Sequence, residues 1–201
     1  MQLDQGEKGF SFQKEGPLDM RMDPTAELTA DEIVNTWDAK DLSEVLRDLG
    51  EEPRWKRATE AIIKERRLKP IRTTKQLADL MLSALGSRTR GKLHPATLVF
   101  QGLRICVNRE LEVLKEGLAK AMELLSPGGR LGVISFHRLE DRIVKELFRA
   151  ASKPLKQRGM QAVQTPMFRL LTKKPLSPTL KEMRENPRSR SAKMRFIEKV
   201  E

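Results

Sequence analysis

The sequence predicts an α/β protein interrupted by a small all-α module. A short apolar run rich in β-branched residues, Arg130-Leu131-Gly132-Val133-Ile134-Ser135, lies between two helical patterns, as a buried strand of a parallel sheet does. Residues 25–86 hold four helical patterns with no strand pattern among them, the mark of an all-α unit. Two further strand-like stretches, Met167 to Leu171 and Lys193 to Val200, come near the end.

A chain of 201 residues is long enough for one ordinary core and a small appended domain. With 38% apolar and 33% charged residues it reads as a soluble protein, and no window approaches the ~18 apolar residues of a membrane span. The acidic, polar stretch Met1 to Phe12 does not read as a secretory signal. The single cysteine, Cys106, leaves no internal disulfide and no cysteine-rich metal site, which fits a reducing cytoplasm. The net charge of +11 is unevenly spread: −7 over residues 1–50, then +9 over 51–152 and +9 over 153–201. Nucleic acid is the common partner of such a pattern, through phosphate neutralisation and counterion release. A surface that is basic only for solubility is the other reading.

Residues 1–24 are broken by Gly6, Gly9, Gly16, Pro17 and Pro24 and read as a loop. Within it Pro17-Leu18-Asp19-Met20-Arg21-Met22-Asp23 sets two carboxylates around an arginine. These either cap turns and pair with Arg21, or serve a reaction. Residues 25–93 are read as a helical module and basic linker. Thr29-Ala30-Asp31-Glu32 fits a capping box that opens a helix through Ile33, Val34 and Trp37. Leu42, Val45, Leu46 and Leu49 mark a second helix stopped by Gly50. Trp55, Ala58, Ala61 and Ile62 mark a third ending near Pro70, and Leu77, Leu80, Met81 and Leu85 a fourth opened by Thr73 or Thr74. The third is basic, a pattern that usually means a solvated face. Ser87 to Leu93, with Arg88 and Arg90, forms the linker.

Residues 94–201 are read as a second α/β region. The spacing of Leu103, Val107, Leu111, Leu114, Leu118 and Met122 predicts one long helix from His94 to about Leu125, stopped by Pro127-Gly128-Gly129. The strand at Arg130 follows, then a helix lined by Leu139, Ile143, Val144, Leu147 and Phe148. The two late strand-like stretches are expected to add antiparallel at a sheet edge. Ligands of open α/β sheets gather at the carboxyl ends of strands, so Ser135 to His137 is the first place to look for chemistry. Ser-His-Asp spacings, zinc signatures, P-loops and Gly-x-Gly-x-x-Gly are all missing from the sequence. The two histidines, His94 and His137, are each read as helix caps unless they act together.

Several blocks resemble one family in order: Gln2-Leu3-Asp4, Gly9-Phe10-Ser11-Phe12, Gly16 to Asp23, His94-Pro95-Ala96-Thr97, Phe100 to Ile105, Asn108-Arg109-Glu110-Leu111, Pro127 to Leu131, Ile134 to His137, Leu139 to Lys145 and Asn186 to Lys193. The chain resembles the S-adenosylmethionine-dependent methyltransferases that modify N4 of a cytosine in bacterial small-subunit ribosomal RNA, and the likeness spans nearly all of it. The resemblance implies the C-terminal part of a Rossmann-like class I methyltransferase sheet, with residues 25–93 an inserted module. It also implies an N-terminally shortened form, because family members begin with a glycine-loop half that holds the cofactor. Gln2 is the matching cofactor contact. The Asp/Asn-Pro-Pro-aromatic signature of many amino methyltransferases is absent, and Arg138 stands where the family pattern has serine.

The implied reaction needs a group that relieves the exocyclic amine of charge, for which Asp19 and Asp23 are the catalytic candidates. A reacting base must leave its stack, so Phe136 is a wall candidate, with Arg21, His94 and His137 beside the substrate. Arg88, Arg90, Arg188, Arg190 and Lys193 are expected to hold rRNA phosphates. The alternative class is an rRNA-binding remnant without catalysis. A sheet without its first strands is expected to expose an apolar edge and to dimerise or aggregate through it.

Overall fold

Polar side-chain caps set where three helices of the first hundred residues begin. The computed structural model describes residues 8–86, 94–154 and 166–200 and divides into two units, Met1–Glu110 and Leu111–Glu201. In the first, Thr29 accepts a hydrogen bond from the Glu32 N–H and opens α1 (Ala30–Thr36). Asp38 does the same for α2 (Ala39–Glu44), which runs into a π-helical turn, Val45–Leu49. α3 (Trp55–Leu68) follows. A full capping box between Thr73 and Gln76 opens α4 (Thr74–Leu85), and α5 spans Thr97–Val107. Ile33, Leu42, Leu46, Ile62, Leu77, Met81 and Leu103 are wholly buried in one core.

The first unit runs on to Glu110, because α5 packs into the helical core. Gly102 makes this possible: a Cβ there would stand 2.8 Å from the Gly50 backbone nitrogen and 2.9 Å from the Val45 carbonyl oxygen. The expected long helix is broken. α5 ends at Val107, Arg109 takes φ 49°, and α6 (Glu110–Glu123) begins anew. Apolar spacing of three and four runs straight through the break, so periodicity alone could not show it.

The loop of residues 8–26 is pinned by its backbone. The Leu18 N–H donates to the Arg72 carbonyl at 3.0 Å and the Met20 N–H to the Lys8 carbonyl at 2.9 Å, and both side chains are buried. Gly9 sits at φ 70°, where an added Cβ would lie 2.2 Å from the Pro17 carbonyl oxygen. Gly9→Ala is therefore expected to cost about 2 kcal/mol, read as a lower urea midpoint; an unchanged midpoint would show that the loop is not held as described.

The second unit contains most of α6, β1 (Arg130–Ser135), α7 (Arg138–Ala151), β2 (Phe168–Leu170), α8 (Leu180–Glu185), a 3-10 turn at Pro187–Ser191 and β3 (Lys193–Lys199). The sheet order is β1-β3-β2. Both pairings are antiparallel, with Arg130 opposite Glu198, Ser135 opposite Lys193 and Phe168 opposite Lys199. Late strands thus add antiparallel, as expected. The reading of Arg130 to Ser135 as a buried parallel strand is corrected: in the described sheet it is an antiparallel edge strand with alternating exposure. An apolar β-branched run carries no information about the direction of its neighbour. One sheet face packs on α6 and α7 through Leu118, Met122, Val144, Phe148 and Ile197; the other leaves Ile134 54% exposed.

Candidate active-site loop and strand end

Asp19 and Arg21 are locked together. Arg21 donates from Nε and Nη2 to the two Asp19 carboxylate oxygens, each at 2.8 Å, and its N–H reaches Oδ1 at 2.9 Å. The same guanidinium donates to the Pro24 and Ala26 carbonyls at 3.0 and 2.7 Å. The Arg21 guanidinium holds the Asp19 carboxyl below its usual range. Arg21 is therefore a staple of the loop and presents little of itself to a substrate.

Met20, between them, is buried at φ 64°. A side chain held in the left-handed region is strained and persists only where its surroundings enforce it. Asn108 supplies that enforcement: its Nδ2 donates to the Met20 carbonyl at 2.8 Å, and its Oδ1 accepts from the Met22 N–H at 2.7 Å. In the sequence Asn108 stood in one of the blocks carrying the family resemblance and inside the expected long helix, without a role of its own. The available signal was an asparagine in an apolar helical pattern, where its side chain competes with the backbone.

Asp23 stands differently. It is exposed, and its Oδ1 accepts from the Thr25 hydroxyl at 2.7 Å and the Thr25 N–H at 2.9 Å. Those bonds hold its carboxyl below the usual range. Oδ2 has no hydrogen-bond partner among the described residues. The two aspartates are thus not a pair sharing a proton: one is consumed by Arg21, and the other is aimed outward by Thr25. His94 Nδ1 accepts from the Ala96 N–H at 3.2 Å, and its ring lies 4.6 Å from that of Phe12. His94 shapes the turn before α5.

In the second unit, β1 ends at the buried Ser135, and Phe136 projects with 52% exposure. His137 caps α7 in a reciprocal box. Its Nδ1 accepts from the Glu140 N–H at 3.4 Å, while Glu140 Oε2 accepts from the Phe136 and His137 N–H groups at 2.8 and 3.1 Å. Burial pushes the Glu140 carboxyl up, but the His137 side chain and these two N–H groups outweigh it and hold it low. Asp141, one residue on, takes Arg195 Nε at 2.7 Å and Nη2 at 3.1 Å, both residues being buried. Lys193 Nζ approaches Asp141 at 3.5 Å. Arg195, with help from Lys193, holds the Asp141 carboxyl below its usual range. Arg188 and Arg190 are exposed on the 3-10 turn. Gln2, Arg88 and Arg90 lie outside the described residues.

A family model described as the MraW methylase family matches residues 1–200. The chain belongs to this family. Among curated relatives of the chain are proteins named ribosomal RNA small subunit methyltransferase H. That of Protochlamydia amoebophila is 52% identical over 205 residues, covering 100% of this chain and 65% of that protein. That of Thermomicrobium roseum is 52% identical over 203 residues, covering 99% and 62%. That of Dehalococcoides mccartyi is 48% identical over 204 residues, covering 100% and 57%. The chain spans about three-fifths of the length of these relatives. No helix among its described residues is long and apolar enough to cross a membrane.

Proposed function

We propose that the protein carrying this chain methylates N4 of a cytosine in small-subunit ribosomal RNA, using S-adenosylmethionine, and that this chain serves the acceptor side of the reaction. Similarity to the named rRNA methyltransferases over essentially every residue of the chain supports the reading most strongly. S-adenosylmethionine supplies a methyl group bound to a positively charged sulfur. The β1–α7 turn does not fit the methionine end of that cofactor. Its Phe136 and His137 N–H groups already serve Glu140, and the first turn of α7 is acidic, which repels a carboxylate. Gln2 is the proposed cofactor contact within this chain.

The acceptor chemistry is within reach of the residues described. The exocyclic amine of cytosine gains positive charge as it takes the methyl, and its N–H then becomes strongly acidic. A weakly basic carboxylate is enough to accept that proton, so the low pKa of Asp23 is no obstacle and its unpartnered Oδ2 is the receiving atom. Asp19, with Arg21 and Asn108, holds the loop that presents it. Phe136, exposed in the second unit, is the aromatic wall that the family resemblance implies for an unstacked base. His94 and His137 act through the turns they shape, and Arg88, Arg90, Arg188, Arg190 and Lys193 bind phosphates. A ribosomal RNA substrate places the protein in the cytoplasm.

Methyl-labelled S-adenosylmethionine incubated with the protein and purified ribosomal subunits tests this. Label is expected in small-subunit rRNA; label confined to large-subunit rRNA, or to protein, would overturn the assignment.

A further inference from the structure

We infer that the outward face of α3 is a phosphate-binding surface for ribosomal RNA, an inference that rests on RNA being the substrate. Lys56, Arg57, Lys64 and Arg67 are all exposed. At 3.6 residues per turn they fall within about 100° of the helix circumference and span about 16 Å of its length. Among the described residues none of the four has a carboxylate partner within ion-pair distance. Glu60 is the one acidic residue in the stripe.

Two observations set this face apart from an ordinary solvated helix. First, Lys56 and Arg57 occupy the first turn of α3, which contains no acidic residue. The amino-terminal end of a helix carries partial positive charge, so cations there work against the helix. Arg67 in the last turn suits the dipole, but the first-turn pair needs another reason. Second, Lys56 is held beside an aromatic ring. Its Nζ lies 5.3 Å from the Trp55 ring centroid, and the Arg47 guanidinium carbon lies 5.5 Å from it, within cation–π range.

The neighbouring arginines show the contrast. Arg54 turns inward to the Leu85 carbonyl and Arg66 donates to the Val34 carbonyl at 2.9 Å. These two hold the module together, while the four outward cations hold nothing within it. A row of unpaired charges on a rigid helix is suited to the backbone of structured RNA, whose recognition runs chiefly through phosphates and shape.

The test replaces Lys56, Arg57, Lys64 and Arg67 together by glutamine, a good helix former, and measures binding to small-subunit rRNA by fluorescence anisotropy over a salt series. Affinity near physiological salt is expected to fall at least about tenfold, and the slope of log K against log salt to flatten by about 3, one phosphate contact per cation. Glu60→Gln is expected to tighten binding, a gain that misfolding cannot produce. Unchanged affinity and slope in the quadruple variant would overturn the surface while leaving the methyl-transfer reading intact. Wild-type protein that binds rRNA with a steep salt slope yet transfers no methyl would overturn the reaction and leave the surface. Binding to phosphatidylserine vesicles that the quadruple variant loses, with rRNA binding unaltered, would overturn the choice of RNA.

Discussion

Asp141→Ala is expected to destabilise the second unit by about 3 kcal/mol, the cost of leaving a buried charge without its partner. Arg195 is only 6% exposed, and its guanidinium makes two hydrogen bonds to Asp141, at 2.7 and 3.1 Å. This pair joins the first turn of α7 to β3, so its loss loosens the helix that covers one face of the sheet. Urea unfolding followed by fluorescence and circular dichroism measures the change. Removing both charges with Asp141→Leu and Arg195→Met is expected to recover most of the loss, since no buried charge is then stranded. A double variant as unstable as Asp141→Ala would place the energy elsewhere.

The pH dependence has a definite sign. The Asp141 carboxyl is held low by Arg195, so the folded state binds its proton less readily than the unfolded chain. Its contribution is fully present above the unfolded value of about 3.9 and is lost as pH falls through the folded value. The wild-type protein is expected to lose stability below about pH 4, and the double variant to lose less in that window. Equal acid sensitivity in the two proteins would show that the ion pair does not govern this range.

Asp23→Asn is expected to lower kcat about a hundredfold, the lower end of what a positioned proton acceptor contributes, with KM for RNA little changed. Asparagine keeps an Oδ1 that can accept from Thr25, so the loop survives and the stability change stays within about 0.5 kcal/mol. What is lost is the anionic oxygen that faces outward. Asp19→Asn makes the contrast: it weakens the bonds from Arg21 and should lower stability and activity together. A full kcat in Asp23→Asn, checked by initial rates at saturating RNA, would remove Asp23 from the chemistry.

How far the sequence could be read is clearest at individual residues. A cap at Thr73 or Thr74, and one at His137, were legible because capping is local; the structure selects Thr73, and Thr73 with Gln76 and His137 with Glu140 both form the full box. The late strands were legible from their apolar and aromatic residues, Phe168, Leu170, Phe196 and Ile197, and their antiparallel addition from the long connection between them, which the pairings show. The break at Asn108 was not, because its cause is a pair of hydrogen bonds to Met20 and Met22, more than 80 positions away in sequence. Asp19 and Asp23 looked alike as letters. Their separation into a stapled carboxylate and an outward one depends on which neighbour each meets, Arg21 or Thr25. Arg195 gave no sign of its role, since burial of an arginine follows only from the Asp141 that reaches it across the fold.

The central claim is acceptor chemistry at the exocyclic amine of a cytosine. Nucleoside mass spectrometry of small-subunit rRNA after reaction with the protein and S-adenosylmethionine tests it most directly. N4-methylcytidine is the expected product; methyl found only at C5 of cytosine, at a ribose oxygen or nowhere in the RNA would contradict the account.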